Sequence, residues 1–218
     1  DLLEIHKGAA SHYSYELDCL VELIQNSFKS IQQRQIDEEG LKGTIELKIN
    51  IPQKKITVID NGTGFPDFEE AIGIGSTGWK KKSPEAGFGY GLTTMIMMST
   101  DCTIDSIDVE KKWRKIVFKN SYERFWGTKK QKQKPWAPSE DFGPKDSLGQ
   151  VRTKIILVGK DRVYDSFWSM LDKFSSYEDN SGAVIKKIDL LEQALLWHSP
   201  LGYSKILWKS KPPKIKYK

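Results

Sequence analysis

Residues 44–64 read TIELKINIPQKKITVIDNGTG. Across 44–51 the apolar residues Ile45, Leu47, Ile49 and Ile51 alternate strictly with polar ones, the period of a strand with one face in a core. Pro52, Gln53 and Lys54 then make a turn, and Lys55–Ile59 returns as a second strand. The hairpin ends in Asp60-Asn61-Gly62-Thr63-Gly64, a loop that cannot continue a sheet. A carboxylate at a strand end, followed by Gly62 and Gly64, gives a rigid acceptor beside a backbone free to pass close to a flat ligand. An Asp-Asn-Gly string is also an ordinary turn, so the segment alone leaves both readings open.

On the N-terminal side, Leu17, Leu20, Val21, Ile24, Phe28 and Ile31 recur at three- and four-residue steps, which predicts an amphipathic helix over 15–31. On the C-terminal side, 66–91 is rich in glycine and reads as a mobile stretch. A helix is expected over 92–99, a second hairpin over 103–109 and 113–119, and a buried strand over 151–158. Between these, 125–149 carries lysines, prolines and glycines and reads as a long polar loop. Helical patterns follow at 162–176 and 186–198, and the tail 209–218 is basic and broken by Pro212 and Pro213. This order is not the regular alternation of a parallel sheet. It predicts an α/β protein with a mixed, mostly antiparallel sheet and helices on one face. Residues 1–160 would form the main domain, and 161–218 a helical extension and basic tail.

The chain has 218 residues, enough for one large core, and its 7 Trp, 8 Tyr and 9 Phe require an interior. Lys and Arg number 34 against 29 Asp and Glu, a net charge of +5 that permits a nucleic-acid partner without requiring one. Two cysteines and three scattered histidines exclude a zinc framework and a disulfide scaffold. No apolar run approaches the length of a membrane span and no signal pattern opens the chain, so no membrane partner is expected and the protein reads as intracellular, cytoplasmic or nuclear.

Two further segments carry chemistry. On the long helix Glu22, Asn26 and Lys29 fall at i, i+4 and i+7 and form one polar stripe. That stripe is either a solvated face or a wall presenting a base, a metal ligand and a phosphate contact. Gly87-Phe88-Gly89-Tyr90-Gly91-Leu92 opens a helix, and alternating glycines before a helix N-terminus favour anionic phosphates. Gly73-Ile74-Gly75-Ser76-Thr77-Gly78 fits the GxGxxG pattern of dinucleotide folds, but it follows no strand and is discounted. No GxxxxGK[ST] segment occurs.

Taken in order, Glu-x-x-x-Asn on a helix, Asp-x-Gly-x-Gly after a hairpin and Gly-x-Gly-x-Gly-Leu before a helix resemble the motif series of the GHKL superfamily. Gyrase B, heat-shock chaperones, histidine kinases, MutL and MORC proteins belong to that superfamily. The resemblance covers about residues 12–158 and is closest in layout to the MutL and MORC branch. It implies a Bergerat fold, a two-layer α/β sandwich holding ATP and magnesium beneath a lid. Carried over by position, Glu22 looks like the general base and Asn26 would hold magnesium, while Lys29 stays the phosphate contact offered by the helix stripe. Asp60 accepts from the adenine amino group, with Gly62 and Gly64 in the floor of the base pocket. Gly87, Phe88, Gly89, Tyr90, Gly91 and Leu92 close over the phosphates. Ser76 and Thr77, with Lys81 among the lysines at 80–82, resemble the lid, and Thr153 resembles the threonine that supports the adenine-binding aspartate.

The resemblance therefore implies slow magnesium-dependent ATP hydrolysis that drives lid closure and homodimerisation of a larger machine. Lys29 and Ser30 depart from the Asp and Ala usual in the MutL and MORC branch. Lys29 is closer to histidine kinases, so a kinase-type ATP-binding domain is one alternative. A non-hydrolysing nucleotide-dependent interaction module is another. The basic segments 129–134 and 209–218 make nucleic acid a further candidate partner.

Overall fold

The computed structural model describes residues 18–65, 92, 95–96, 99–107, 113–121, 123, 139–141, 151–159, 177–178, 184–185, 195 and 214–217. Helix α1 spans Asp18–Asp37. It runs a turn and a half past Ile31, where the apolar period had seemed to end, because Gln32–Gln35 remain partly covered and Arg34 is tied to Glu38. The 15–17 end of the expected helix lies outside the described residues.

Five strands form the body of the sheet: β1 (Thr44–Asn50), β2 (Lys55–Asp60), β3 (Asp101–Ile107), β4 (Trp113–Phe118) and β6 (Thr153–Val158). Their spatial order is β4-β3-β6-β2-β1, and every neighbouring pair is antiparallel. Two short strands extend the edges. β5 (Ser139–Asp141) pairs antiparallel with β4, and β9 (Lys214–Tyr217) pairs parallel with β1. β7 (Tyr177–Glu178) and β8 (Val184–Ile185) make a separate two-stranded pairing.

Both hairpins form where alternation predicts them, although β3 begins two residues earlier than the sequence reading because Asp101 and Cys102 pair with Val158 and Leu157 of β6. Two expectations are corrected. The segment 125–149 is not loop throughout, since β5 lies within it. The tail is not merely basic and proline-broken: Lys-Ile-Lys-Tyr at 214–217 alternates, and after Pro213 it adds a strand to the sheet edge at Thr44–Leu47. Part of the 161–218 segment thus joins the same sheet as the 1–160 segment. The helices expected at 162–176 and 186–198 lie outside the described residues, except that Leu195 is helical and buried.

The register arranges one sheet face in three rows. The first joins Ile49, Ile56, Leu157, Cys102 and Phe118; the second joins Leu47, Val58, Ile155, Ile104 and Ile116. Helix α1 covers β1 and β2 on this face, placing Leu20, Leu23, Ile24, Phe28 and Ile31 into the same core with Leu92, Met95 and Ile96. Each such side chain stabilises the fold by roughly 1.5–3 kcal/mol when fully buried. The third row is different in kind: Ile45, Asp60, Thr153, Ser106 and Arg114. An apolar face therefore ends in a band of polar side chains.

The opposite face carries a charge row in which Glu46, Ile59, Lys154, Asp105 and Lys115 lie side by side. Burial pushes the Asp105 carboxyl above its ordinary range, and Lys115 and Lys154 on either side pull it partly back.

A buried carboxylate beneath the long helix

The candidate site is built where the polar row meets α1. Asp60 is the last residue of β2 and only 4% exposed. Its Oδ2 accepts a 3.0 Å hydrogen bond from the Ser27 hydroxyl, and its Oδ1 accepts from the Gly62 N–H at 2.9 Å. Thr153, directly across the β2–β6 pair, supplies a further hydroxyl to the carboxyl. Burial pushes the Asp60 pKa up to about 7, the dominant effect, while the Gly62 N–H and the Ser27 and Thr153 hydroxyls favour the charged form. No charged side chain contributes to the shift. The result is a desolvated acid held by neutral donors and poised near neutrality, a combination common at functional sites.

The polar row continues beyond Thr153. Its hydroxyl lies 3.4 Å from Ser106 Oγ, and Ser106 in turn accepts from the Phe65 N–H at 2.9 Å. The loop that follows Asp60 is therefore stitched to β3 at its far end. At its near end it is stitched to α1. The Thr63 N–H donates to Ser30 Oγ at 2.9 Å, the two hydroxyls lie 3.2 Å apart, and Arg34 donates from Nη1 to the Asn61 carbonyl at 2.7 Å. Asn61 serves the sheet itself: its side chain accepts from the Thr44 N–H and donates to the Lys42 carbonyl.

The glycines of the loop have reasons internal to the protein. Gly64 has a φ of +87°, and a Cβ there would overlap the Ile107 carbonyl. A Cβ at Gly62 would overlap the Ser30 side chain. Both residues are needed for close contact of the loop with α1 and β3, whether or not a flat ligand also lies against them.

The predicted stripe of Glu22, Asn26 and Lys29 lies on α1 and is partly open to solvent. Glu22 and Asn26 are half-buried and Lys29 is 8% exposed. Asn26 directly precedes Ser27, so the helix that anchors Asp60 also presents an amide oxygen and a carboxylate one turn apart. Two of the three motif segments are thereby brought together, along with Thr153. Leu92 is helical with its side chain in the core. Ser76, Thr77, Lys81, Gly87, Phe88, Gly89, Tyr90 and Gly91 lie outside the described residues.

Among the described residues no group of three or more His, Cys, Asp and Glu side chains could hold a metal. A magnesium ion coordinated by one amide oxygen, phosphate oxygens and water needs no such cluster, and Asn26 supplies a hard oxygen of the right kind. No helix among the described residues is long and apolar enough to cross a membrane.

Four residues of the site are not assigned to it by the sequence: Ser27, Ser30 (noted there only as a departure from the usual Ala), Arg34 and Ser106. The first three fall at i, i+3 and i+7 of α1, a spacing visible beforehand as a second polar stripe beside the first. Ser106 has no local signal; only its register opposite Thr153 reveals it. No protein-family model matches the sequence, and no curated protein matches it.

Proposed function

We propose that the chain binds ATP with magnesium and hydrolyses it slowly, the bound nucleotide favouring a closed lid and association with a second copy. The observation that carries this reading is the 3.0 Å hydrogen bond from Ser27 to Asp60, which holds the acceptor at the loop's start against the helix bearing Glu22 and Asn26. A purine amino group needs a fixed, desolvated acceptor, and Asp60 supplies one with acceptor capacity left after Ser27, Gly62 and Thr153 have donated. Donation from the ligand favours the ionised carboxyl, so nucleotide uptake releases a proton at neutral pH and strengthens as pH rises through about 7.

Within this reading the Asn26 amide oxygen holds magnesium, which when bound neutralises phosphate charge. Glu22 orients a water molecule and accepts its proton, the role a carboxylate can play in phosphoryl transfer to water. Lys29 contributes a cation on the same stripe. Coupling to dimerisation requires only that ATP bind the closed arrangement better than the open one.

The test is a magnesium-ATP titration by calorimetry beside a phosphate-release assay on wild-type protein, Glu22→Ala and Asn26→Ala. Glu22→Ala should retain binding and lose hydrolysis; Asn26→Ala should lose the magnesium-dependent part of binding. Hydrolysis by Glu22→Ala at the wild-type rate removes the base assignment. Absence of hydrolysis in a wild-type protein that binds ATP favours the interaction-module alternative. Absence of ATP binding at millimolar concentration overturns the reading as a whole.

A further inference from the structure

The contacts between α1 and the Asp60–Gly64 loop are more numerous than anchoring one carboxylate requires. Ser27, Ser30 and Arg34 each grip a different part of the loop: the Asp60 side chain, the Thr63 backbone and hydroxyl, and the Asn61 carbonyl. The Thr63 hydroxyl donates to the Gly64 carbonyl at 3.3 Å, which leaves Ser30 to donate to Thr63 Oγ1 while accepting from the Thr63 N–H. Arg34 is held in turn by a two-pronged pair with Glu38, Nε to Oε1 at 2.9 Å and Nη2 to Oε2 at 2.8 Å, which aims its remaining nitrogen at Asn61. Gly62 sits so close to Ser30 that no side chain fits between them. The loop therefore cannot slide along the helix without breaking these contacts together.

We propose that Ser30 and Arg34 are positioning residues that fix the direction of the Asp60 carboxylate and thereby set which purine the site accepts. This rests on the reading of Asp60 as the base acceptor. Adenine presents a donor amino group where guanine presents a carbonyl, and an ionised carboxylate accepts only from the former. A site built to receive one hydrogen-bonding group rejects an analogue lacking it, provided the acceptor is held in place, because the bond weakens steeply with misalignment. Ser30 holds the Thr63 N–H and Arg34 the Asn61 carbonyl, so both act on Asp60 through the loop backbone.

The experiment measures dissociation constants of magnesium-ATP and magnesium-GTP by calorimetry for wild-type protein, Ser30→Ala, Arg34→Met and Arg34→Lys. Wild type should prefer ATP. Ser30→Ala and Arg34→Met should each weaken ATP about fivefold and GTP less than twofold, so that the preference shrinks. Arg34→Lys keeps a donor for the Asn61 carbonyl and should restore most of the preference. A merely structural role would weaken both nucleotides equally and leave their ratio unchanged, and that result overturns the proposal. A wild-type protein that prefers ATP, with an unchanged ratio in Ser30→Ala and Arg34→Met, removes the clamp but not the Asp60 reading. A wild-type protein that binds both purines equally, or neither, removes both.

Discussion

Replacing Asp60 by Asn should stabilise the protein at alkaline pH and leave it unchanged at acid pH. In the unfolded chain the carboxyl ionises near 3.8, whereas in the fold burial holds its pKa at about 7. Below pH 3.8 the carboxyl is protonated in both states, and this group adds no pH dependence. Between about 4 and 7 the folded state keeps a proton that the unfolded state has released, so stability falls as pH rises; above about 7 both states are ionised and the loss is complete. The gap between 3.8 and about 7, at ~1.4 kcal/mol per tenfold, gives a loss of roughly 4 kcal/mol. Asn has the same shape, can accept from the Gly62 N–H through its oxygen, and can donate to a Ser27 hydroxyl turned to receive it. Urea unfolding of both proteins from pH 4.5 to 8.5 measures the difference. The variant should gain progressively over wild type and level off above about pH 7.5. A constant offset across the range, or a wild type that gains stability with pH, would refute the assignment of a desolvated acid at this position.

Three other outcomes follow from the packing. Gly64→Ala combines a φ of +87° with overlap on the Ile107 carbonyl and should cost at least about 2 kcal/mol in denaturant unfolding, because backbone on both sides must shift. Phe118→Ala empties a fully buried position in the first apolar row and should cost about 3–5 kcal/mol by the same measurement. Burial, reinforced by Asp101, pushes the Cys102 thiol far above its ordinary range, so in a Cys19→Ser background it should react with a disulfide reagent at pH 8 only as fast as the protein unfolds.

The strands were legible because their apolar residues alternate over six or seven positions, and α1 because its period persists for several turns. Register was less so. Ser106 looks like any strand serine until it is placed opposite Thr153, and that placement depends on how three distant segments align. Strands β5 and β9 were missed for another reason. They are three and four residues long and sit in lysine- and proline-rich surroundings, where composition outweighs so short an alternation. Asp60 was legible as a strand-terminating acid, but its elevated pKa was not, since burial is a property of what packs above it. The sequence points to Gly62 and Gly64 as room for a flat ligand, whereas the packing that demands them, against Ser30 and Ile107, depends on segments distant in the chain and is not legible locally.

The polar row has a consequence for how the chain finds its alignment. Sliding β6 by two residues against β2 would leave every side chain on its proper face, so the two apolar rows alone could tolerate the error. It would, however, set Asp60 opposite Ile155 and strip it of the Thr153 hydroxyl, while Lys154 would leave its place beside Asp105. The carboxylate and hydroxyls thus work like the teeth of a key, making one pairing acceptable among several that oil-like contacts cannot tell apart. A variant carrying aliphatic residues at 60, 106 and 153 would be expected to keep its sheet and lose its single alignment.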